Sequence, residues 1–415
     1  MLPAVRRRRG NVLVLFAILL TSLIGMVAFA IDTGYIALYK TRLQRAADAA
    51  ALAGATKALT IPGESPDPDG VRAEVRKYVT FNMPGLTVRD EDIKFCRYTP
   101  YYAPENRFTY NVTTAQPANG IDVTLRRDTL QNDPLRLFFA PVIGTRTASL
   151  TARSVAYCAK GKSVKANAPF LPYTMQYDYY YAAMNGSRTG VDPNDVTDTA
   201  TVNPTTMSVS NGSDGINEVH LFTPTKNKPG NFGSLDIGSS SNATGELERQ
   251  ILYGPTEADF ANPDFYIKVN PADGALYVPF IAGGDNGMST SVKTSFEAIQ
   301  GKPRIIPLYG PAPGPDGIRG TADDTDLTGN GPDGVYRTAD DYDGKADGVL
   351  GTGDTTKYNV IGYAGIVITK VDFRGDQKEL WVQPAFLVSN KVTAAQNDTD
   401  AVVEGVYLPP KLVIP

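Results

Sequence analysis

Apolar residues run without a charge from Asn11 to Ile31, through NVLVLFAILLTSLIGMVAFAI. As a helix rising about 1.5 Å per residue, this run reaches roughly 30 Å, the thickness of a bilayer's hydrocarbon core. Asp32 ends it. Beyond Asp32 the pattern turns from uniform to periodic. Ile36, Tyr39, Leu43, Ala46, Ala47 and Ala50 recur at helical spacing and form one apolar stripe, with Arg42, Arg45 and Asp48 off its centre. No proline stands between Asn11 and Pro62. The spacing therefore predicts one continuous helix, half facing lipid and half facing water.

The chain then breaks into shorter elements. Ile61–Gly70 reads as a turn. Val71, Val75, Tyr78 and Val79 share one face of a short helix over 71–82, which Met83-Pro84-Gly85 stops. Strand-like runs follow at Ile93–Tyr98, Arg107–Thr114 and Ile121–Leu125, and Asn119-Gly120 predicts a hairpin between the last two. Leu135–Ile143 is apolar between Pro134 and Gly144, and Ala148–Tyr157 alternates as a strand does. The polar stretch Lys160–Asn167 marks a boundary. Beyond it strands are expected at Glu218–Phe222, Tyr277–Ile281, Ile305–Leu308, Tyr358–Lys370 and Leu380–Pro384, the last continuing to Val388, and Pro229–Asp236 reads as a turn leading into a strand. Gly245–Tyr253 reads as a two-turn helix, and Arg188–Ser213 as a long surface loop. The expected class is α+β. A membrane-spanning helix (11–31) follows a basic N-terminus (1–10). A helix spine with a small α+β domain (32–160) comes next, then a larger β-rich domain (161–415) interrupted by an insertion at 314–355.

That insertion repeats itself. The run from Pro315 to Asp324 (PDGIRGTADD) returns from Pro332 to Asp341 as PDGVYRTADD, and a shorter copy spans Ala346–Asp354. No copy carries enough apolar residues for a core of its own. What the copies carry is acid: Asp316, Asp323, Asp324, Asp326, Asp333, Asp340, Asp341, Asp343, Asp347 and Asp354, joined by Asn330. Calcium takes six to eight oxygens from such groups on glycine-turned loops, so a structural Ca²⁺ is one expectation. A solvated acidic loop is the other. The EF-hand order is absent, and Lys345 stands where a third oxygen would follow Asp341 and Asp343.

Charge orients the chain. Arg6–Arg9 precede the apolar run, so the N-terminus stays cytoplasmic and everything beyond Asp32 lies outside the cytoplasm. Ala28-Phe29-Ala30 offers an alternative, cleavage after Ala30 and release. Cleavage after Gly10, as in type IV pilins, is disfavoured because Leu15 stands where those proteins carry Glu.

The Arg9-Gly10-Asn11 opening, Asp32-x-Gly34 at the end of the span, and the run from Leu43-Gln44 through Ala46, Asp48 and Ala50-Ala51-Leu52 resemble the N-terminal segment of TadG-like proteins of the Flp (Tad) pilus-assembly system. The run Gly230-Asn231-Phe232-Gly233 is similar to a second segment of those proteins. The resemblance implies a single-pass accessory protein of the bacterial inner membrane, exposed outside the cytoplasm and acting on other envelope proteins. Ala46, Ala47 and Ala50 are then candidate contacts for partner helices, including an oligomer through the N-terminal helix. Packing on the chain's own sheet is the equal alternative. A secreted or surface-displayed, calcium-dependent adhesion protein is the runner-up.

Composition narrows the chemistry. Net charge is −4, and no basic run occurs beyond Arg9, so nothing points to nucleic acid. A single histidine, His220, excludes histidine-based triads and His-rich metal sites. Gly161-Lys162-Ser163 ends like a P-loop, but Ala156 occupies the place of its first glycine. No enzyme is expected. Cys96 and Cys158 are candidates for one disulfide in an oxidising compartment, two unjoined thiols being the alternative. Tyr177–Tyr181 is either a recognition patch or strand core and turn. If the acidic insertion binds calcium, adding Ca²⁺ is expected to slow proteolytic cleavage between 314 and 355. Unchanged cleavage would eliminate the calcium reading.

Overall fold

The computed structural model describes residues 11–59, 67–99, 102, 107–112, 118–223, 230–238, 243–261, 269–285, 288–310, 349–350, 357–374, 377–394 and 402–413. Contacts divide the chain into two units. One holds residues 1–58, 67–157 and 410–415, and the other holds 59–66 and 158–409.

The first unit is built on α1 (Asn11–Lys57), one unbroken helix. Its two halves differ as the pattern predicts. From Val12 to Ile31 nearly every side chain is exposed, whereas Leu43, Ala46, Ala47, Ala50, Ala51 and Ala55 are fully buried. α2 (Pro68–Asn82) lays Val71, Val75 and Val79 into the same core. Burying each of these valines contributes roughly 1.5–3 kcal/mol. Asp67 caps α2 by accepting the Gly70 N–H, and Pro68 fits the first turn, where an amide has no helical partner.

Four strands, β1 (Ile93–Tyr98), β2 (Phe108–Thr109), β3 (Gly120–Arg127) and, after a two-stranded hairpin of β4 (Leu135–Arg136) with β5 (Thr147–Ala148), β6 (Leu150–Tyr157), build the facing sheet. The order is β2-β1-β3-β6, closed by a strand at Lys411–Val413 that pairs with β6. All pairs are antiparallel. The chain's last strand thus belongs to the first unit, not to the β-rich region that precedes it. The hairpin expected at Asn119-Gly120 is not formed: β1 lies between β2 and β3. Asn119 instead uses its side chain to accept the Tyr98 N–H and donate to the Tyr98 carbonyl. Gly120 begins β3 because a Cβ there would lie 2.8 Å from the Ala156 carbonyl oxygen.

The second unit centres on the strand Lys357–Arg374. It pairs antiparallel with Arg304–Tyr309 and with Gln377–Pro384, so the sheet resumes across the insertion as expected. Residues 357–369 are all buried, because one core covers Ala364, Ile366 and Ile368 while a second covers Tyr358, Val360 and Tyr363. A strand covered on both sides reads as a near-continuous apolar run. The expected strand Tyr277–Ile281 is split between two sheets. Ala275–Tyr277 pairs with Gly161–Lys165, and Phe280–Gly283 pairs with the central strand. The expected loop at Arg188–Ser213 contains a hairpin of Ala200–Asn203 with Ser208–Asn211. Asn203 holds its turn by accepting the Thr205 and Thr206 amides.

The helix expected over Gly245–Tyr253 is found at Thr244–Tyr253. Tyr177–Asn185 is a further helix, not strand and turn. Its Tyr179 and Tyr180 are core residues, and Arg188 lies over the Tyr181 ring at 4.7 Å.

The tightness of the first core is testable. Ala47→Leu adds volume where the helix meets its sheet, and overpacking of this kind costs about 1–3 kcal/mol. Denaturant unfolding of the detergent-solubilised chain should show a transition shifted down by that amount.

Candidate functional site

Along α1 the side chains pass from exposed to buried in the turns that follow Asp32. Asp32 ends the apolar run and is only 5% exposed. Its carboxylate accepts three consecutive backbone N–H groups, Phe138 at 2.9 Å, Phe139 at 3.0 Å and Ala140 at 2.6 Å. These amides open a short 3-10 turn, Ala140–Ile143, whose Pro141 and left-handed Gly144 fix its start and end. Burial raises the Asp32 pKa, but the three amides outweigh it and hold the carboxyl below its usual value.

Further contacts follow along the helix. Tyr35 packs on the Phe138 ring, with centroids 5.0 Å apart. Arg127 donates to the Tyr39 hydroxyl and lies 4.7 Å over its ring. Lys40 donates to the Thr151 carbonyl, and Gln44 donates to the Arg153 carbonyl and to Asp48. Polar contacts near the exit thus give way to the alanine face. At Gly54 the helix comes so close to α2 that a Cβ would lie 2.7 Å from Val75 Cγ2. Ala46, Ala47 and Ala50 are fully buried in this chain's own core. They lie on the face by which α1 packs on its own sheet and α2.

Behind the sheet, Arg153 pairs with Asp122 at 2.7 Å, and Tyr110 donates to the same carboxylate. The expected disulfide is not formed: no S–S bond joins Cys96 and Cys158, and both are buried. Burial, with the Asp122 charge adding to it, pushes the Cys96 thiol up to about 12, and burial pushes Cys158 up to about 12.

His220 stands on the strand Glu218–Phe222 as expected. Its Nδ1 is 3.1 Å from Asp195 and its Nε2 is 3.4 Å from Glu379, while the ring stacks on Trp381 at 4.7 Å. Among the described residues no cluster of His, Cys, Asp and Glu is placed to hold a metal. The ten aspartates from Asp316 to Asp354, and the calcium expectation that rests on them, lie outside the described residues.

α1 is long and apolar enough to cross a membrane, and the window that makes it so is unburied. Residues 10–57 match the Tad family model, Flp pilus-assembly TadE/G-like. No curated protein and no solved structure matches the chain. The match thus covers the whole of α1, while the rest of the first unit and all of the second lie outside it. Within the Tad segment the structure gives Asp32 of the Asp32-x-Gly34 pair a role, as acceptor for the 138–140 amides. Gly34 has no packing reason, since a Cβ there would meet nothing within 4 Å.

Sequence reasoning located Asp32 but not its partner. The only signal was the apolar segment Leu135–Ile143, which has no periodicity that would tie it to residue 32.

Because its pKa is lowered, the Asp32 carboxylate stabilises the fold fully above the usual carboxyl pKa of about 3.9 and loses that contribution as pH falls through the folded value. Protection of the Phe138–Ala140 amides from hydrogen exchange, taken relative to the intrinsic rate at each pH, should therefore be high at neutral pH and fall only in acid. Asp32→Asn should exchange several-fold faster at neutral pH, with the acid dependence removed.

Proposed function

We propose that this chain is a membrane-anchored, non-catalytic component of an Flp-type pilus-assembly system, acting through protein contacts outside the cytoplasm. The match of residues 10–57 to the Tad family carries the reading. The division of α1 supports it, because an exposed apolar half continues without a break into a half buried in a folded unit. Arg6–Arg9 favour a cytoplasmic N-terminus in the inner membrane, which leaves the chain beyond Asp32 on the far side. His220, the residue best suited to acid–base work, bonds Asp195 through Nδ1 and stacks on the Trp381 ring, an arrangement that suits a structural role.

An affinity pull-down tests the reading. The chain is tagged after Pro415, extracted from membranes in detergent, and its bound proteins are identified by mass spectrometry. Intact chain with pilins, a secretin or a secretion ATPase is the expected result. Recovery from the medium with Ile31 as the first residue, and without such partners, would overturn the proposal in favour of a secreted binding protein.

A further inference from the structure

The turn that Asp32 holds carries four exposed apolar side chains. Phe138 is 63% exposed, Phe139 44%, Val142 89% and Ile143 79%. A soluble protein seldom clusters four such residues at one loop tip. Their place in the fold is specific. The backbone from Phe138 to Ala140 is bonded to Asp32, the first residue past the apolar run, and Phe138 packs on Tyr35 one turn further along. The exposed tip is therefore continuous with the exposed apolar half of α1, whose Phe29 and Ile31 are also open. Charge brackets the tip. Arg136 and Arg146 stand at its neck, where the Leu137 N–H bonds the Arg146 carbonyl. Both arginines are exposed, and neither pairs with a carboxylate among the described residues.

We propose that the Phe138–Ile143 turn is a membrane wedge, inserting its apolar tip among the lipids beside the point where α1 leaves the bilayer, with Arg136 and Arg146 on anionic lipid phosphates. The proposal rests on the reading of 11–31 as a membrane span. A turn at this level reaches only the interface, about 5–10 Å into the boundary between headgroups and acyl chains. Aromatic rings and arginines are the side chains suited to that layer, and Tyr35, packed on Phe138, stands beside the turn. The wedge gives the first unit a second attachment to the bilayer, beside its helix. Asp32 sets the tip against the helix, so helix and wedge enter the lipid as one piece.

Depth-dependent fluorescence quenching tests this on the full chain, reconstituted one copy per nanodisc in phosphatidylethanolamine with phosphatidylglycerol. Val142→Cys, Leu20→Cys and Phe81→Cys variants each carry an environment-sensitive dye. The buried Cys96 and Cys158 stay unlabelled. The Val142 dye should be blue-shifted and quenched at least about two-fold by lipids spin-labelled near the top of the acyl chain, and less by labels near the chain end. The Leu20 dye should show the reverse order, and the Phe81 dye should behave as in water. Arg136→Ala with Arg146→Ala, or omission of phosphatidylglycerol, should weaken quenching at Val142.

A Val142 dye in water beside a quenched Leu20 dye would overturn the wedge and leave the span standing. An unquenched Leu20 dye would overturn the span and the wedge with it. A Val142 dye that is shielded but unquenched by lipid, or shielded only with two copies per disc, would assign the tip to a second copy. Equal quenching at Phe81 would mean that the whole unit lies on the lipid and that the turn is not special. Quenching indifferent to both the arginines and the anionic lipid would overturn the phosphate contact.

Discussion

One carboxylate stands where a single helix changes solvent. For its first half α1 presents apolar side chains all round, as only a segment in lipid can do without cost. For its second half it packs on protein along one face. Asp32 lies at the change and satisfies three amides that would otherwise open a 3-10 turn with no partner. A carboxylate so near hydrocarbon needs donors as much as the amides need an acceptor. Each therefore removes the other's desolvation cost.

The buried half of α1 follows from the same economy of space. Alanine has little volume, so a helix lined by Ala46, Ala47, Ala50, Ala51 and Ala55 approaches its sheet and α2 closely, and Gly54 permits the nearest contact. The apolar area per residue is small, but the fit leaves little room for another rotamer or register. Gln44, Lys40 and Arg127 add polar contacts where the alanines stop. The helix is thus tied to its sheet by hydrogen bonds at the end nearest the apolar half and by packing beyond it.

The sequence made the periodic parts legible. The change from uniform to striped hydrophobicity at Asp32, the face of α2, and the strands Ile93–Tyr98 and Glu218–Phe222 all follow from local pattern. What escaped depended on distant pairing. Asn119-Gly120 looks like a hairpin turn, yet β1 outcompetes β2 for the edge of β3, and no local signal says so. The tyrosines at 177–181 favour strand by propensity, but Tyr179 and Tyr180 fill a core that only the assembled sheet creates. The alanine stripe was visible, but not what covers it, because small residues suit a partner helix and an internal sheet alike. The partner of Asp32 lies more than a hundred residues away, in a segment whose apolarity gave no hint of a turn.

Continuity is the mechanical consequence. No proline or buried break interrupts α1 between Asn11 and Lys57, and its distal half is fixed to the first sheet over several turns. A long helix without such breaks bends only gently. The first unit therefore cannot pivot on its anchor as it would on a glycine-rich linker. Tilt of the helix becomes tilt of the unit. An assembly protein that must present a surface at a set height and angle above a membrane gains from this coupling. The match of residues 10–57, which spans both halves of the helix, is what such a coupled element would require. An anchor selected only to hold the protein at the membrane would need the apolar half alone.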